Sequence, residues 1–271
     1  MMADMDRLAT LLRAVATDII MPRYQALGSG DIEEKSKGDF VTIADREAEF
    51  ALTPELKGMV PDSIVVGEEA TAADPSLLDA ADTDKPIWYV DPIDGTSNFI
   101  NGLPGFAIMV AFADRSEVRQ SAIFFPVSGT LYMAEKGAGA FVQEAGKVAL
   151  KLPRRSGPDA LNVAHAAFYT KHFPPQWDAP LERLQQSVAL STNDLAAACE
   201  YTDIACGRKD LATYHRMLPW DHAPGSLILR EVGGVARNIA TGDDHRPAHV
   251  QGPHVLAATE PLWHAARTLM V

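Results

Sequence analysis

The sequence predicts a layered α+β fold, and three observations carry that prediction. An apolar stripe at helical spacing opens the chain, a series of short strands divided by turn residues occupies its middle, and helices alternate with strands in the second half. A long antiparallel meander mixed with helices favours stacked layers over a simple doubly wound sheet.

Leu8, Leu11, Leu12, Val15 and Ile19 recur at helical spacing, which predicts an amphipathic first helix. A loop rich in glycine and charge follows over 28–39, then a second helix from 42 to about 57. The stretch SIVVGEE, 63–69, reads as a β-branched strand that delivers two acids at its end. An acidic loop spans 71–85, and PIWYVD after it reads as a buried strand. Strands near 106–113, 120–126, 131–135 and 140–143 make up the meander. Beyond it the pattern predicts strands at 161–166, 187–190 and 211–214, helices at 180–186, 193–206 and 221–232, and final short strands. No repeat, low-complexity tract or linker is visible. The expectation is one domain over 1–271, made of two closely joined halves, about 1–150 and 151–271.

The bulk numbers restrict function. With 271 residues, 47% apolar and 22% charged, the chain has ordinary globular composition and enough length for a sizeable core. A formal charge of −12 argues against binding nucleic acid, although metal ions could supply positive charge locally for an anionic substrate. Cys199 and Cys206 fall in one predicted helix, where they would lie roughly 10 Å apart, too far for a disulfide. That reads as a reduced, cytoplasmic protein. Asp4, Asp6, Arg7, Arg13 and Asp18 interrupt the N-terminal segment, so an export signal or membrane partner is not expected.

The stretch WYVDPIDGTSNF, 88–99, concentrates the chemistry. A stiff apolar strand fixes Asp91 at its end; Pro92 stops pairing, and the turn can return Asp94 to the same side. Gly95 permits close backbone approach, and Thr96 can open a helix whose free N–H groups favour phosphate. Two carboxylates beside an anion cradle need a cation between them, and hard oxygen donors without His or Cys suit Mg²⁺ rather than Zn²⁺. On these residues alone, a solvated turn with capping aspartates fits as well as a metal-and-phosphate site. Glu68 and Glu69, Asp45 with Thr42 in VTIAD, and Asp221 in PWDHAPG add acids; singly they fit a salt bridge, a helix surface and an N-cap. GSG at 28–30 and GAG at 137–139 lack the spacing of a dinucleotide site and read as turns.

Together and in this order, GEE at 67–69, DPIDGTSNF at 91–99 and WDHAPGSLILREVGG at 220–234 resemble the inositol monophosphatase family of Mg²⁺-dependent, lithium-sensitive phosphomonoesterases. VTIAD and MAEKGAGAF, 133–141, extend the resemblance. It implies an α-β-α-β-α sandwich, commonly homodimeric, with two or three Mg²⁺ ions and a small phosphorylated polyol, by default inositol 1-phosphate, as substrate. It further implies that Glu68, Asp91 and the carbonyl of Ile93 hold the first ion, and that Asp91, Asp94 and Asp221 hold the second. Thr96, paired with Asp45, would orient the attacking water, the N–H groups of Gly95 and Thr96 would hold phosphate oxygens, and Glu69 would act from behind Glu68. Lys35 and Lys37 lie in EEKSKGD, which matches a mobile family loop near the metals and equally reads as a solvated charge run. Two departures fall in the substrate wall. Tyr214 stands where the inositol enzymes carry an acid that contacts substrate hydroxyls, and STNDLAAACEY lacks a clean Gly-Ser/Thr-Ala stretch. Histidinol phosphate, fructose 1,6-bisphosphate and nucleoside 3′,5′-bisphosphates are therefore alternative substrates, and a non-catalytic scaffold is a further reading.

Overall fold

Asp4 starts the first helix: its carboxylate accepts the amides of Asp6 and Arg7 at 3.0 and 3.1 Å, satisfying N–H groups that have no partner within the helix. That helix, α1 (Met5–Val15), continues through a π turn and a 3-10 turn as far as Arg23. The computed structural model describes residues 2–28, 30–36 and 39–271 of the chain. A hairpin of β1 (Ile32–Ser36) and β2 (Asp39–Thr42) precedes α2 (Ile43–Met59), β3 (Ile64–Gly67) and α3 (Glu68–Ala73). Then come β4 (Ile87–Asp94), the short α4 (Thr96–Ile100), and a meander of β5 (Ala107–Asp114), β6 (Glu117–Phe125), β7 (Thr130–Glu135), β8 (Gly139–Gln143) and β9 (Leu150–Lys151). The second half holds β10 (His165–Phe168), α5 (Asp178–Ser187), β11 (Leu190–Ser191), α6 (Ala197–Cys206) and β12 (Leu211–Arg216). It closes with α7 (Pro219–Glu231), β13 (Val235–Asn238), β14 (Gln251–Ala257) and α8 (Glu260–Met270).

Strands β3 to β9 form one sheet in sequence order, antiparallel except for the parallel β3–β4 pair. Side chains of β4 alternate between two cores, as the period of a strand requires. Trp88 and Val90 pack with Leu8 and Leu12 of α1 and Leu52 and Leu56 of α2. Ile87 and Tyr89 pack with Ala198 and Tyr201 of α6 and Leu227 and Ile228 of α7. The far side of the α6–α7 layer meets the second sheet, ordered β11-β10-β12-β14-β13, through Ala212 and Leu256. The outer face of that sheet is covered by α5 and α8 through Leu181, Leu184, Leu262 and Trp263. The stack is helix, sheet, helix, sheet, helix, the layered α+β sandwich expected.

Several element boundaries differ from expectation for local reasons. The loop over 28–39 contains the β1–β2 hairpin, paired from Ile32↔Thr42 onward. The strand expected over 63–69 ends at Gly67, and Glu68 and Glu69 open α3 instead, because Glu49 of α2 caps that helix. The acidic loop over 71–85 is largely helical, with a 3-10 stretch Pro75–Asp82 started by the Asp74 carboxylate on the amide of Ser76 at 3.1 Å. The strand expected at 161–166 is a 3-10 turn followed by β10. The helix expected from 193 starts at Ala197, since the Asn193 amide is committed to the backbone of Phe168 at 2.9 and 2.8 Å. Helix α8 was absent from the expected elements, although Thr259, Glu260 and Pro261 form an N-terminal signal. Cys199 and Cys206, both in α6, are free thiols.

Candidate active site

The end of β4 builds the centre of the site. Pairing with β5 runs to Asp91↔Met109, breaks, and resumes at Asp94↔Ala107. The extra residue is a bulge at Pro92–Ile93, where proline's missing N–H does no harm. Pairing is thus interrupted at Pro92 rather than ended there. The Asp91 carboxylate accepts the amide of Ile93 at 2.9 Å. Gly95 then turns the chain with φ 84°, and a Cβ there would lie 2.8 Å from the carbonyl of Gly105 and 3.0 Å from Ala196 Cβ. Only glycine fits. Thr96 Oγ1 donates to the carbonyl of Ile93 at 3.0 Å and stands 3.4 Å from Asp45 Oδ1.

Asp45 is buried, not part of a solvated helix surface. Its Oδ2 accepts both the amide and the hydroxyl of Thr42, at 2.8 and 2.6 Å, and Thr42 Oγ1 accepts the amide of Ala44 at 3.1 Å. This capping box at the start of α2 fixes the carboxylate and leaves Oδ1 facing Thr96. Burial pushes the Asp45 carboxyl up to about 7, against the lowering effect of the Thr42 hydrogen bonds.

Glu68 and Glu69 are the first two residues of α3. One turn beyond Asp45 on α2, Glu49 accepts the amides of Glu69 and Ala70, both at 2.8 Å. A Cβ on residue 67 would fall 2.3 Å from the Glu49 carboxylate carbon, so the glycine of GEE is where that carboxylate packs. Lys35 of β1 donates to Glu68 Oε1 at 2.7 Å and Glu69 Oε1 at 3.0 Å. Burial opposes its charge, but the two glutamates more than offset that and raise its pKa. Lys35 is thus not part of a solvated charge run, and Lys37 lies outside the described residues.

From the opposite side, Asp94 accepts the amides of Ala197 and Ala198 at 3.1 and 2.7 Å. The loop before α6 places those amides with Leu195 at φ 60°, a left-handed conformation that glycine adopts freely and leucine at a cost of about 1–2 kcal/mol. Asp221 is the third residue of α7, not its N-cap; Leu218 holds that position.

These segments wall a cleft of about 180 Å³ lined by Glu68, Asp91, Ile93, Asp94, Gly95, Thr96 and Asp221, together with Phe40 and Arg216. Asp45 reaches the cleft through Thr96, and Glu69 lies behind Glu68 outside its walls. Burial first, then the charges of Glu68, Asp94 and Asp221, hold the Asp91 carboxyl well above the ordinary range. Asp94 is pushed up to about 7 by burial, offset in part by the Ala198 and Ala197 amides. Groups so crowded favour a cation among them. The donors are all oxygen, which suits a hard divalent ion such as Mg²⁺. Among the described residues, no three such groups close into a ready metal cage; they share the walls of one cleft.

Asp94, Arg216 and Asp221 also border a second space of about 300 Å³, next to the first. Tyr214 lines it, stacked on Tyr169 at 4.6 Å and in a T-shaped contact with His222 at 4.7 Å. Its hydroxyl is buried without a hydrogen-bond partner, whereas that of Tyr169 donates to Glu200 at 2.8 Å. Sequence reasoning missed Glu49, Tyr169 and Arg216. Glu49 was findable, four residues after Asp45 and hence on the same helix face; nothing local marks the other two.

Residues 1–269 match the inositol monophosphatase family. The inositol-1-monophosphatase of Caulobacter vibrioides is 31% identical over 233 residues, 85% of this chain and 87% of that one. Nus factor SuhB of Vibrio cholerae is 29% identical over 212 residues, 78% and 76% of the two chains. The solved Thermotoga maritima IMPase superposes with a TM-score of 0.77 at 25% identity, covering 98% of this chain and 96% of that one. With the cleft and the layered fold in agreement with that match, the chain belongs to the inositol monophosphatase family.

Proposed function

We propose that the chain is a Mg²⁺-dependent, lithium-sensitive phosphomonoesterase acting on a small polyol phosphate, with inositol 1-phosphate as the first candidate. One observation carries the reading: four carboxylates from three separate segments, Glu68, Asp91 with Asp94, and Asp221, wall one cleft beside the Asp45–Thr96 pair. Glu68, Asp91, Asp94, Asp221 and the Ile93 carbonyl would hold the divalent ions. Bound there, the ions would supply Lewis-acid stabilisation of charge on the phosphoryl and leaving oxygens. The chain's own groups do the rest. Thr96 Oγ1 lies where it can orient a water, and Asp45 Oδ1, free of Thr42, can take a proton through it. The amides of Gly95 and Thr96 at the start of α4 would cradle phosphate oxygens. No serine, cysteine or histidine nucleophile is required.

The Caulobacter relative's name supports the substrate, and a Thermotoga maritima relative is named a fructose-1,6-bisphosphatase/inositol-1-monophosphatase. Histidinol phosphate and nucleoside 3′,5′-bisphosphates remain alternatives on the same core. Relatives named Nus factor SuhB bring in a non-catalytic reading, against which the complete carboxylate set argues. Phosphate release should be measured across inositol, histidinol, hexose and nucleotide phosphates with Mg²⁺, and again in excess chelator. Turnover that persists in chelator would overturn the metal reading. No release from any ester would favour the scaffold.

A further inference from the structure

A third cavity, of about 320 Å³, lies away from the carboxylate cleft and the space beside it, and three arginines border it. Arg115 comes from the β5–β6 turn, Arg230 from the last turn of α7, and Arg246 from the segment after β13. In a chain of formal charge −12 this is a local reversal of sign. The two acids in its wall pair with other cations, Glu117 with Lys136 and Arg119 and Asp244 with Arg237 Nε at 2.6 Å, although Glu117 also feels the charge of Arg230. Among the described residues, none of the ion pairs or side-chain hydrogen bonds holds Arg115, Arg230 or Arg246.

Two further features point to a ligand. The β5–β6 turn has both central residues left-handed, Arg115 at φ 52° and Ser116 at φ 59°. Tight hairpin turns of that kind are normally Asn-Gly or Asp-Gly. Arg-Ser there accepts about 1–2 kcal/mol of backbone strain per residue and aims an unpaired cation at the cavity rim. At the end of α7 the amides of Gly233 and Gly234 donate to the carbonyls of Arg230 and Leu229, both at 2.9 Å, an ordinary glycine cap. The Arg230 guanidinium offsets the partial negative charge that this end of the helix would otherwise present. His245, 4% exposed, completes the wall, and neither of its ring nitrogens has a protein partner.

We propose that this cavity is a metal-independent binding site for a small phosphorylated anion, distinct from the carboxylate cleft. Guanidinium forks match phosphate oxygens in geometry and keep their charge at any physiological pH, and the volume suits a small organic phosphate or polyphosphate. Arg230 and Asp221 occupy opposite ends of α7, about 13 Å apart along its axis.

The test is calorimetric titration of chelator-treated protein with inorganic pyrophosphate. Without a divalent ion the carboxylate cleft repels the probe, so binding reports the arginine cavity. One equivalent should bind, and the exposed pair R115Q/R246Q should weaken its Kd at least about tenfold with the far-UV spectrum unchanged. D91N should leave Kd where it was. No saturable binding, unchanged affinity in R115Q/R246Q, or equal loss in D91N would each overturn the proposal.

Discussion

Gly67→Ala is the perturbation that asks most of the site's supporting structure. The backbone at Gly67, φ −98° and ψ 158°, suits any residue, so the effect must come from space. A Cβ would sit 2.3 Å from the carboxylate carbon of Glu49 and 2.5 Å from both oxygens, far inside contact distance. Glu49 would have to withdraw, and the amides of Glu69 and Ala70 would lose their acceptors. Losing such a cap costs about 1 kcal/mol, and crowding a packed site adds about 1–3 kcal/mol. Loss of unfolded-chain freedom returns about 0.4–1 kcal/mol. The net expectation is destabilisation of about 1–3.5 kcal/mol.

The decisive comparison is a double-mutant cycle measured by urea denaturation at pH 8. In a Glu49→Ala background the obstructing carboxylate and the cap are both gone, so adding Gly67→Ala should be neutral or slightly stabilising. The coupling between the two positions should therefore reach about 2 kcal/mol, well above the 0.3–0.5 kcal/mol scatter of roughly independent sites. Gly67→Ala should also weaken Mg²⁺ binding measured by calorimetry, because Glu68 sits in the turn that shifts. A cost below about 0.5 kcal/mol, or the same cost in both backgrounds, would refute the close-packing argument.

Asp91→Asn and Asp221→Asn should each abolish turnover while the metal-free protein stays as stable or gains stability, since each relieves crowding in a cleft where burial and neighbouring acids raise the Asp91 carboxyl; near-normal turnover in either would show the ligand set to be wrong. Tyr214→Phe removes a buried hydroxyl that has no partner, so stability should hold or rise and kcat/KM for a polyol phosphate should change little; a severalfold fall in kcat/KM would show that the hydroxyl reaches the leaving group and refute its burial. His254 is lowered to about 4 by burial, so the unfolded chain takes up a proton below about pH 6.5 before the folded one does. Its contribution is complete above that pH and falls by about 1.4 kcal/mol per unit down to pH 4. The stability difference between wild type and His254→Gln should shrink accordingly between pH 7 and 4.5, and parallel curves would refute the assignment.

The meander was legible because its strands are short, apolar and separated by turn residues, and each was found within a few residues of its place. The errors cluster where tertiary contacts decide a boundary. Glu68 and Glu69 look like a strand end until Glu49, from a different helix, is seen capping their amides. Asn193 looks helical until its side chain is seen occupied by Phe168 of β10. Helix α8 is a different failure: Leu262, Trp263, Ala266 and Met270 repeat at helical spacing and are all buried, so its signal was local and simply went unread.

The same distinction separates the carboxylate cleft from the space beside it. Asp91, Ile93, Asp94, Gly95 and Thr96 are nearly contiguous, and the chemistry of a bulged strand end followed by a glycine turn can be reasoned from six residues. The wall around Tyr214 has no such compactness. It joins Tyr169 beyond β10, Leu195 before α6 and Arg216 at the end of β12, which are distant in sequence and meet only through the second sheet. Position 214 alone suggested a lost acid in the substrate wall. In the structure the ring is held between Tyr169 and His222 and is 7% exposed. A glutamate placed there would be buried near Glu200 and Asp94, two acids whose charges already act on the Tyr214 hydroxyl, and would resist ionising. Restoring an acid at that one position is therefore insufficient to rebuild a polyol contact; Tyr169 and its hydrogen bond to Glu200 would have to change with it.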